Sequence, residues 1–254
     1  MQDTLPNLCA FSTLAAMLDA LAAGNFGDPL FWAVLIGWIM TVVLHEFAHG
    51  IVAHWGGDYT VAERGGLTLN PIQYIDPMFS IIMPAIFLAI GGVPLPGGVT
   101  YIRTDLLRNR AWQTAVSLAG PAMNLLLFLI GVLALHPKVG WLPADASLDA
   151  WTPAHRVVAT LTFLQLYAAM LNLIPVPPLD GFGAISPYIR EETRRKLTTP
   201  PNSIVLILVL FVLLLSDPVR RWFFKGIRGI YSVLGYSDWQ IDNVLRAFFR
   251  TLIG

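Results

Sequence analysis

The sequence contains little cysteine and little charge, and each shortage excludes a class of protein. Its single cysteine, Cys9, rules out an intrachain disulfide, and one thiolate cannot form a cysteine-rich zinc site. Only 13% of the residues are charged, against about a quarter in soluble domains. The net charge of zero gives no electrostatic reason to expect nucleic acid as a partner. The composition instead indicates a protein whose apolar surface faces lipid.

The start of the sequence also lacks basic residues. Residues 1–7 carry no Lys or Arg, so the positively charged region of a secretory signal peptide is missing. Residues 8–23 are mostly apolar and form either a short span or a helix along the membrane surface, which we favour. We find no internal repeat, and we predict one membrane-embedded domain over 1–254. Its core is 30–185, followed by a membrane segment and an amphipathic tail at 186–254.

Apolar runs that approach the roughly 20 residues needed to cross a bilayer recur along the chain. We predict spanning helices at 30–54, 111–135 and 157–174. The run 79–90 is interrupted by Pro84 and predicts a broken or re-entrant segment, since irregular backbone at membrane depth needs protein around it. The run 204–215 is short, and the sequence leaves open whether it crosses. The fold class is therefore an all-α polytopic membrane protein with about four to six membrane segments.

Two regions outside these runs have a different character. The stretch 55–78 is polar and rich in Gly and Pro, which indicates turns. Within it, 59–61 and 67–69 predict short strands, so we expect a small loop or strand element at the membrane edge. The tail from Asp217 mixes basic residues with aromatic ones, a pattern typical of an interfacial helix.

The distribution of basic residues predicts the orientation of the chain. The loops 55–78, 102–110 and 182–202 carry one, three and four Arg or Lys residues, whereas 136–155 carries one. Because cytoplasmic loops are enriched in Lys and Arg, we expect the first three loops on the cytoplasmic side. The C-terminal ends of the spans 30–54 and 157–174 then share that side.

A motif for metal chemistry lies inside the first predicted span. His45, Glu46 and His49 form the pattern H-E-x-x-H. Histidines four residues apart on a helix project from one face and can bind one metal ion, while the glutamate can take a proton from activated water. The same three residues in an apolar helix also fit a proton relay or a transporter site.

A catalytic zinc site needs a third protein ligand, since such sites have three protein ligands and an open position. Asp180 is the candidate, because it follows an apolar helix in the sequence Asn172 to Gly181, N-L-I-P-V-P-P-L-D-G. Prolines in this run unwind the helix end and allow the carboxylate to turn inward. The predicted topology brings Asp180 to the same membrane side as the histidines, and a carboxylate at that depth needs a partner.

These motifs together resemble the site-2 protease family of intramembrane zinc metalloproteases, in the compact form without a PDZ domain. The likeness covers about 30–185. Gly66 and Tyr74 depart from it, since they stand where the family motifs carry Arg and His. The matching segments are H-E-x-x-H, then G-D-Y-T at 57–60, G-L-T-L-N-P at 66–71, I-D-P at 75–77, A-G-P-x-x-N at 119–124 and N-x-x-P-x-P-x-L-D-G at 172–181.

The resemblance implies roles for individual residues. Zn²⁺ is expected on His45, His49 and Asp180, with Glu46 as general base. Asn172 is expected near the scissile peptide, or it simply caps the unwound helix end. Asn124 is a candidate substrate-binding residue, or more simply an interhelical hydrogen-bonding residue beside Gly120.

We therefore predict a zinc endopeptidase that cuts transmembrane segments of other proteins. Its expected partners are a transmembrane protein substrate and the lipid bilayer, with a homo-oligomer or a regulatory membrane partner as the further alternatives. Nucleic acid is not expected. The resemblance favours a bacterial-type plasma membrane, with the active site near the cytoplasmic face. The alternative is a non-proteolytic relative, a metal-binding transporter or chaperone-like protein. Glu46 separates the two, because binding alone needs no base.

Overall fold

The computed structural model describes residues 28–82, 97–138, 140–141 and 147–252. The predicted surface segment at 8–23 and most of the predicted broken segment at 79–90 lie outside these residues. The described residues form nine α-helices, which are numbered here in chain order: α1 Pro29–Gly56, α2 Thr60–Glu63, α3 Arg110–Leu135, α4 Pro153–Asn172, α5 Asp180–Ile185, α6 Glu191–Thr198, α7 Asn202–Leu215, α8 Asp217–Val233 and α9 Asp238–Leu252.

Shorter elements connect these helices. A π-helical stretch at Pro77–Ile82 follows a 3₁₀ turn at Pro71–Tyr74. Two further 3₁₀ turns lie at Leu148–Ala150 and Ser186–Tyr188. The 3₁₀ turns lie in the polar stretches between the apolar runs, and the π-helical stretch leads into the run that begins at residue 79.

Three helices are long and apolar enough to cross a membrane, namely α1, α3 and α4. Local sequence sets where they begin. Asp28 and Asn109 accept hydrogen bonds from backbone N–H groups in the first turns of α1 and α3, and α1 and α4 open on a proline. Gly57 ends α1 in the left-handed conformation, with φ of 117°. The predicted multi-pass helical fold is confirmed.

The three spanning helices pack with α1 parallel to α4 and antiparallel to α3. Along α1, Gly37 lies against Leu161 and Thr41 against Gln165, so both helices advance in the same direction. On the other side, the partner of His49 in α3 precedes the partner of His45 in the chain. The C-terminal ends of α1 and α4 therefore lie on one side of the bundle, together with the N-terminal end of α3.

The segment α7 does not stand alone. It is joined to α6 with a bend of 69°, and the pair together is apolar enough to count as one broken span. Val205, Val209 and Val212 of α7 are exposed, in keeping with contact with lipid. The described helices thus give three spans, or four if the bent pair is one of them.

The tail packs against the helical core, whereas the sequence predicts an interfacial helix. Phe248 of α9 lies 4.5 Å from Phe163 of α4 between ring centroids, and Tyr231 of α8 lies 5.4 Å from Phe128 of α3. Ile227 and Ile241 are fully buried in the same cluster. An amphipathic pattern requires an apolar partner for one face, but it does not distinguish lipid from protein.

The two predicted strands are wrong. Residues 60–63 form the short helix α2, and 67–69 lie in a turn; the described part of the chain contains no strand. The cause is Asp58, whose carboxylate accepts hydrogen bonds from the backbone N–H and hydroxyl of Thr60 at 3.1 and 2.6 Å. This local bond starts a helical turn in place of extended backbone.

Candidate metal centre

Three side chains predicted as metal ligands lie together, toward the end of the bundle where α1 and α4 terminate. The Nε2 atoms of His45 and His49 are 3.1 Å apart, and the two carboxylate oxygens of Asp180 lie 3.2 and 3.3 Å from them, respectively. At zinc–ligand bond lengths of about 2.0–2.2 Å, ligand atoms on a tetrahedral ion are about 3.3 Å apart. The observed separations fit one zinc ion held by these three residues.

The other ring nitrogen of each histidine already has a partner. His49 Nδ1 lies 2.6 Å from the carbonyl oxygen of Val116, and His45 Nδ1 contacts the side-chain oxygen of Asn124. Because both partners are acceptors, each Nδ1 carries the proton and each Nε2 presents its lone pair to the space shared with Asp180. This is the tautomer that metal binding requires.

A glycine keeps that space open. A Cβ atom at Gly120 of α3 would lie 2.3 Å from His49 Nε2 and 2.4 Å from His45 Nε2. No side chain fits at this position beside the two rings. The glycine of the A-G-P-x-x-N segment therefore leaves room for an ion between α1 and α3, which supports the fit to zinc.

Asp180 reaches the histidines because α4 ends early. After Asn172 the chain passes through successive tight turns, in which Val176 bonds to Ile174 and Leu179 to Val176. Pro175, Pro177 and Pro178 cannot donate to a continuing helix, so the chain leaves the helical path. Asp180 is then the first residue of α5, and its side chain remains 22% exposed. The site is thus most open on the Asp180 side.

Glu46 lies in α1 next to the histidines and is 7% exposed. Its carboxylate accepts a hydrogen bond from the hydroxyl of Thr100 at 2.9 Å, and the same hydroxyl lies 3.0 Å from the Glu46 carbonyl oxygen. Thr100 belongs to the segment 97–103, which has no regular secondary structure and runs beside α1. This segment thus touches the residue predicted to act as base.

The segment 97–103 is itself fastened to the polar loops. Asp58, which is fully buried, accepts from the backbone N–H of Arg103 at 2.7 Å. Tyr101 donates to Asp76 at 2.6 Å, and this hydrogen bond raises the pKa of the Tyr101 phenol, which remains protonated at neutral pH. In the sequence, Asp58 and Asp76 have the pattern of simple turn residues. In the structure, both form hydrogen bonds to the segment 97–103, which contacts Glu46.

The two remaining predicted site residues occupy different surroundings. Asn172, the last residue of α4, is half-buried, and its side chain makes no hydrogen bond to the described residues. Asn124 is 3% exposed, with its amide oxygen at His45 and its amide nitrogen 3.0 Å from Gln165. Both ends of the Asn124 amide are occupied, so it lies behind His45 and not on an open substrate surface.

The departures from the family motifs also have a structural setting. Tyr74 is 3% exposed, and its hydroxyl donates to the carbonyl oxygens of Thr68 at 2.6 Å and Gly66 at 3.2 Å. Gly66 passes close to α1, since a Cβ at Gly50 would lie 2.3 Å from its carbonyl oxygen. Tyr74 therefore holds the loop that carries Gly66 against the helix of the histidines.

Three contacts at the site are absent from the motifs. Gln165 and Thr41 continue the hydrogen bonds behind Asn124, and Thr100 bonds to Glu46. The only sequence signal for Gln165 is a polar residue in an apolar helix, which is costly in a membrane unless it has a partner. Thr100 follows a Gly- and Pro-rich run and gives no such signal.

Comparison with known proteins identifies the family. Over 231 residues, the chain is 40% identical to "Putative zinc metalloprotease Rip2" of Mycobacterium tuberculosis, which covers 88% of this chain and 85% of that protein. The protein of the same name from Mycolicibacterium smegmatis is 39% identical over 217 residues, or 84% of this chain and 78% of that protein. "Putative zinc metalloprotease YwhC" of Bacillus subtilis is 32% identical over 224 residues, or 87% and 94%.

No family model matches the chain, and no solved structure does. The relatives nevertheless align over most of both chains and are named as zinc metalloproteases. Their names agree with the zinc-compatible geometry of His45, His49 and Asp180, so the predicted cofactor is confirmed as Zn²⁺. The transporter and chaperone-like alternatives are not favoured. The chain belongs to the site-2 protease family of zinc metalloproteases.

Proposed function

We propose that this protein is an intramembrane endopeptidase that hydrolyses peptide bonds in or near transmembrane helices of other proteins. The observation that carries the proposal is the position of the metal centre between helices long enough to span a membrane. His45 lies about 24 Å along α1 from Pro29, at ~1.5 Å per residue. The hydrocarbon core of a bilayer is about 30 Å thick, so a site at this depth suits a substrate that is itself a membrane segment.

Each residue of the site has a separate role in hydrolysis. His45, His49 and Asp180 would hold the zinc ion, which would supply Lewis acidity toward a peptide carbonyl and lower the pKa of bound water. Glu46 accepts the proton of the attacking water and delivers it to the leaving amine when the C–N bond breaks. The free amide of Asn172 donates to the carbonyl oxygen of the substrate, where negative charge develops.

The substrate must change conformation before it is cut. In a transmembrane helix every peptide carbonyl is engaged in a hydrogen bond, because the bilayer offers no water to replace it. A segment with helix-weakening residues near the cut therefore unwinds more readily and is the better substrate. Replacement of those residues by Leu or Ala is expected to slow cleavage, and an unchanged rate would contradict this requirement.

We place the active site near the cytoplasmic face of a bacterial plasma membrane. The basic loops 55–78, 102–110 and 182–202 support this orientation, since they adjoin the end of the bundle that holds the metal centre. The substrate is a transmembrane protein, and a homo-oligomer or a regulatory membrane partner would control access. A single domain over 1–254 remains a prediction.

Substrate trapping tests the proposal. The Glu46→Gln protein retains the metal ligands but lacks the base, so it is expected to hold membrane proteins that the wild type cleaves. Membranes containing wild type, Glu46→Gln or Glu63→Gln would be compared by mass spectrometry of fragment ends. Glu63 is exposed on α2 and undergoes the same chemical change away from the site, so it serves as the matched control.

New fragment ends within predicted transmembrane segments are expected with wild type and Glu63→Gln, and none with Glu46→Gln. Cleavage confined to soluble domains would contradict an intramembrane substrate. Equal activity of purified Glu46→Gln and wild type would contradict the protease mechanism itself. Zinc uptake into vesicles without proteolysis would support the transporter alternative.

A further inference from the structure

A buried line of hydrogen bonds runs from His45 across all three spanning helices. From the Nδ1 atom of His45 in α1 it passes to Asn124 in α3 and then to Gln165 in α4. The Gln165 amide nitrogen lies 2.8 Å from the hydroxyl of Thr41, which returns the line to α1, and that hydroxyl donates to the carbonyl oxygen of Trp38 at 2.8 Å. Gln165 is 2% exposed.

The line has one consistent direction of donation. His45 must donate from Nδ1 if Nε2 is to bind a metal, so Asn124 must present its oxygen to the ring. Its NH₂ group then donates to the oxygen of Gln165, and the NH₂ group of Gln165 donates to Thr41. Reversal of either amide alone would set two donors or two acceptors face to face. Reversal of both would need the Thr41 hydroxyl to donate to Gln165, but that hydroxyl donates to the carbonyl oxygen of Trp38.

Asn124 alone could not enforce this arrangement. An asparagine amide can turn about its side-chain bond and present NH₂ to the imidazole. The NH₂ group would then donate to Nδ1 of His45. This favours the tautomer with the proton on Nε2, and a protonated Nε2 cannot bind zinc. The oxygen of Gln165 removes this option, because it accepts only from the Asn124 NH₂ group.

We infer that Gln165 is a positioning residue for the metal centre: it fixes the Asn124 amide, which in turn holds His45 in the zinc-binding tautomer. Thr41 fixes Gln165 in the same way. The role concerns zinc on His45, His49 and Asp180 and is independent of which peptide is cut, although it rests on the proposed metalloprotease site. Polar groups that support a metal-binding histidine are commonly worth a factor of about 10–100 in metal affinity.

Zinc affinity of the purified full-length chain tests the inference without any substrate. Competition with a chromophoric chelator would give the zinc dissociation constant of wild type, Gln165→Met and Gln165→Glu. Gln165→Met keeps the length of the side chain but removes the amide, and is expected to weaken zinc binding by about tenfold. Gln165→Glu is expected to stay close to wild type, since a buried neutral carboxylic acid accepts from Asn124 and donates to Thr41.

A double variant separates positioning from a second, independent effect. Asn124→Leu is expected to weaken zinc binding by about 10–100-fold. If Gln165 acts through Asn124, Asn124→Leu combined with Gln165→Met should be no weaker than Asn124→Leu alone. The absorption spectrum of the Co²⁺-loaded protein is expected to change in Gln165→Met and to return in Gln165→Glu.

Thr162→Val is the control for packing. Thr162 is buried in α4, contacts the same helix α3 near Gly131, and donates its hydroxyl to Val158 within α4. Wild-type zinc affinity is expected. The inference is overturned if Gln165→Met binds zinc as tightly as wild type, if the losses in the double variant add, or if Thr162→Val loses as much affinity. Failure of the wild type to bind zinc would overturn the proposed function as well.

Discussion

The metal-binding side and the base-bearing side of the site are built in different ways. On the metal side, α1, α3 and α4 contribute His45, Asn124 and Gln165, whose contacts are buried between helices. On the base side, Glu46 is contacted by Thr100 of the segment 97–103, which is held by polar loops outside the helices. Buried contacts between helices therefore support the histidine ligands, whereas the contact to the Glu46 carboxylate comes from a segment outside the helices.

The largest expected effect is a loss of proteolytic rate without a loss of metal binding. Glu46→Gln should lower the proteolytic rate by about 10²–10⁴-fold, since a general base contributes that range. Zinc affinity should stay near that of wild type, because Glu46 is not among the converging ligands. Single-turnover cleavage and chelator competition on the same preparation measure both quantities. Loss of zinc in this variant would show that the base is also part of the metal side.

Gly120→Ala should disrupt metal binding. The added methyl group would lie within 2.4 Å of both histidine Nε2 atoms and take the space of the ion. Zinc affinity is expected to fall by more than about 100-fold, beyond the usual cost of losing a supporting group. Gly131→Ala is the matched control, because it also clashes on α3, with Thr162, but about 16 Å from Gly120 along the helix. Equal zinc loss in both would indicate damaged helix packing.

Thr100→Val should weaken the base side alone. The variant keeps the shape of the side chain but removes the hydrogen bond to the Glu46 carboxylate. We expect kcat to fall by about tenfold, in keeping with the loss of one hydrogen bond to a charged group. Thr100→Ser should restore the rate, and zinc affinity should be unchanged in both. A Thr100→Ser protein as slow as Thr100→Val would refute a role for the hydroxyl.

Asp58→Asn should act on the stability of the loops that hold the segment 97–103. Asn keeps one oxygen but cannot accept all three hydrogen bonds that the Asp58 carboxylate accepts. The expected loss is about 1–3 kcal/mol of unfolding free energy, the usual cost of a buried polar group left without a hydrogen bond. Asp105→Asn, which removes an exposed ion pair with Arg103, should destabilise the fold less, because exposed ion pairs contribute little. Thermal unfolding of both variants checks the ranking.

The sequence predicts the metal side better than the base side. H-E-x-x-H has a fixed helical spacing, and the proline run before Asp180 marks where a helix must stop, so both features are visible without coordinates. Thr100 touches Glu46 across 54 positions of sequence through a loop whose path no local pattern specifies. Side chains also explain the wrong strands: Asp58 bonds to Thr60 in the first, and Tyr74 donates to the carbonyl oxygen of Thr68 in the second.

The helical fold could be predicted for a related reason. A single apolar run in lipid satisfies its backbone groups by forming a helix. The predicted runs are helices α1, α3 and α4, which are long and apolar enough to span. The tail could not be placed, because its amphipathic pattern fits a membrane surface and a protein surface equally well. Its position against Phe163 depends on which apolar surface of the packed spanning helices remains exposed for it to cover.

The order of the metal ligands along the chain has a consequence for biogenesis. The histidines enter the membrane with the first described span, but Asp180 follows the third, 135 positions after His45. A nascent chain that has inserted α1 and α3 carries the base and two ligands without the third. The three converging metal ligands are therefore complete only once the chain beyond α4 has been made.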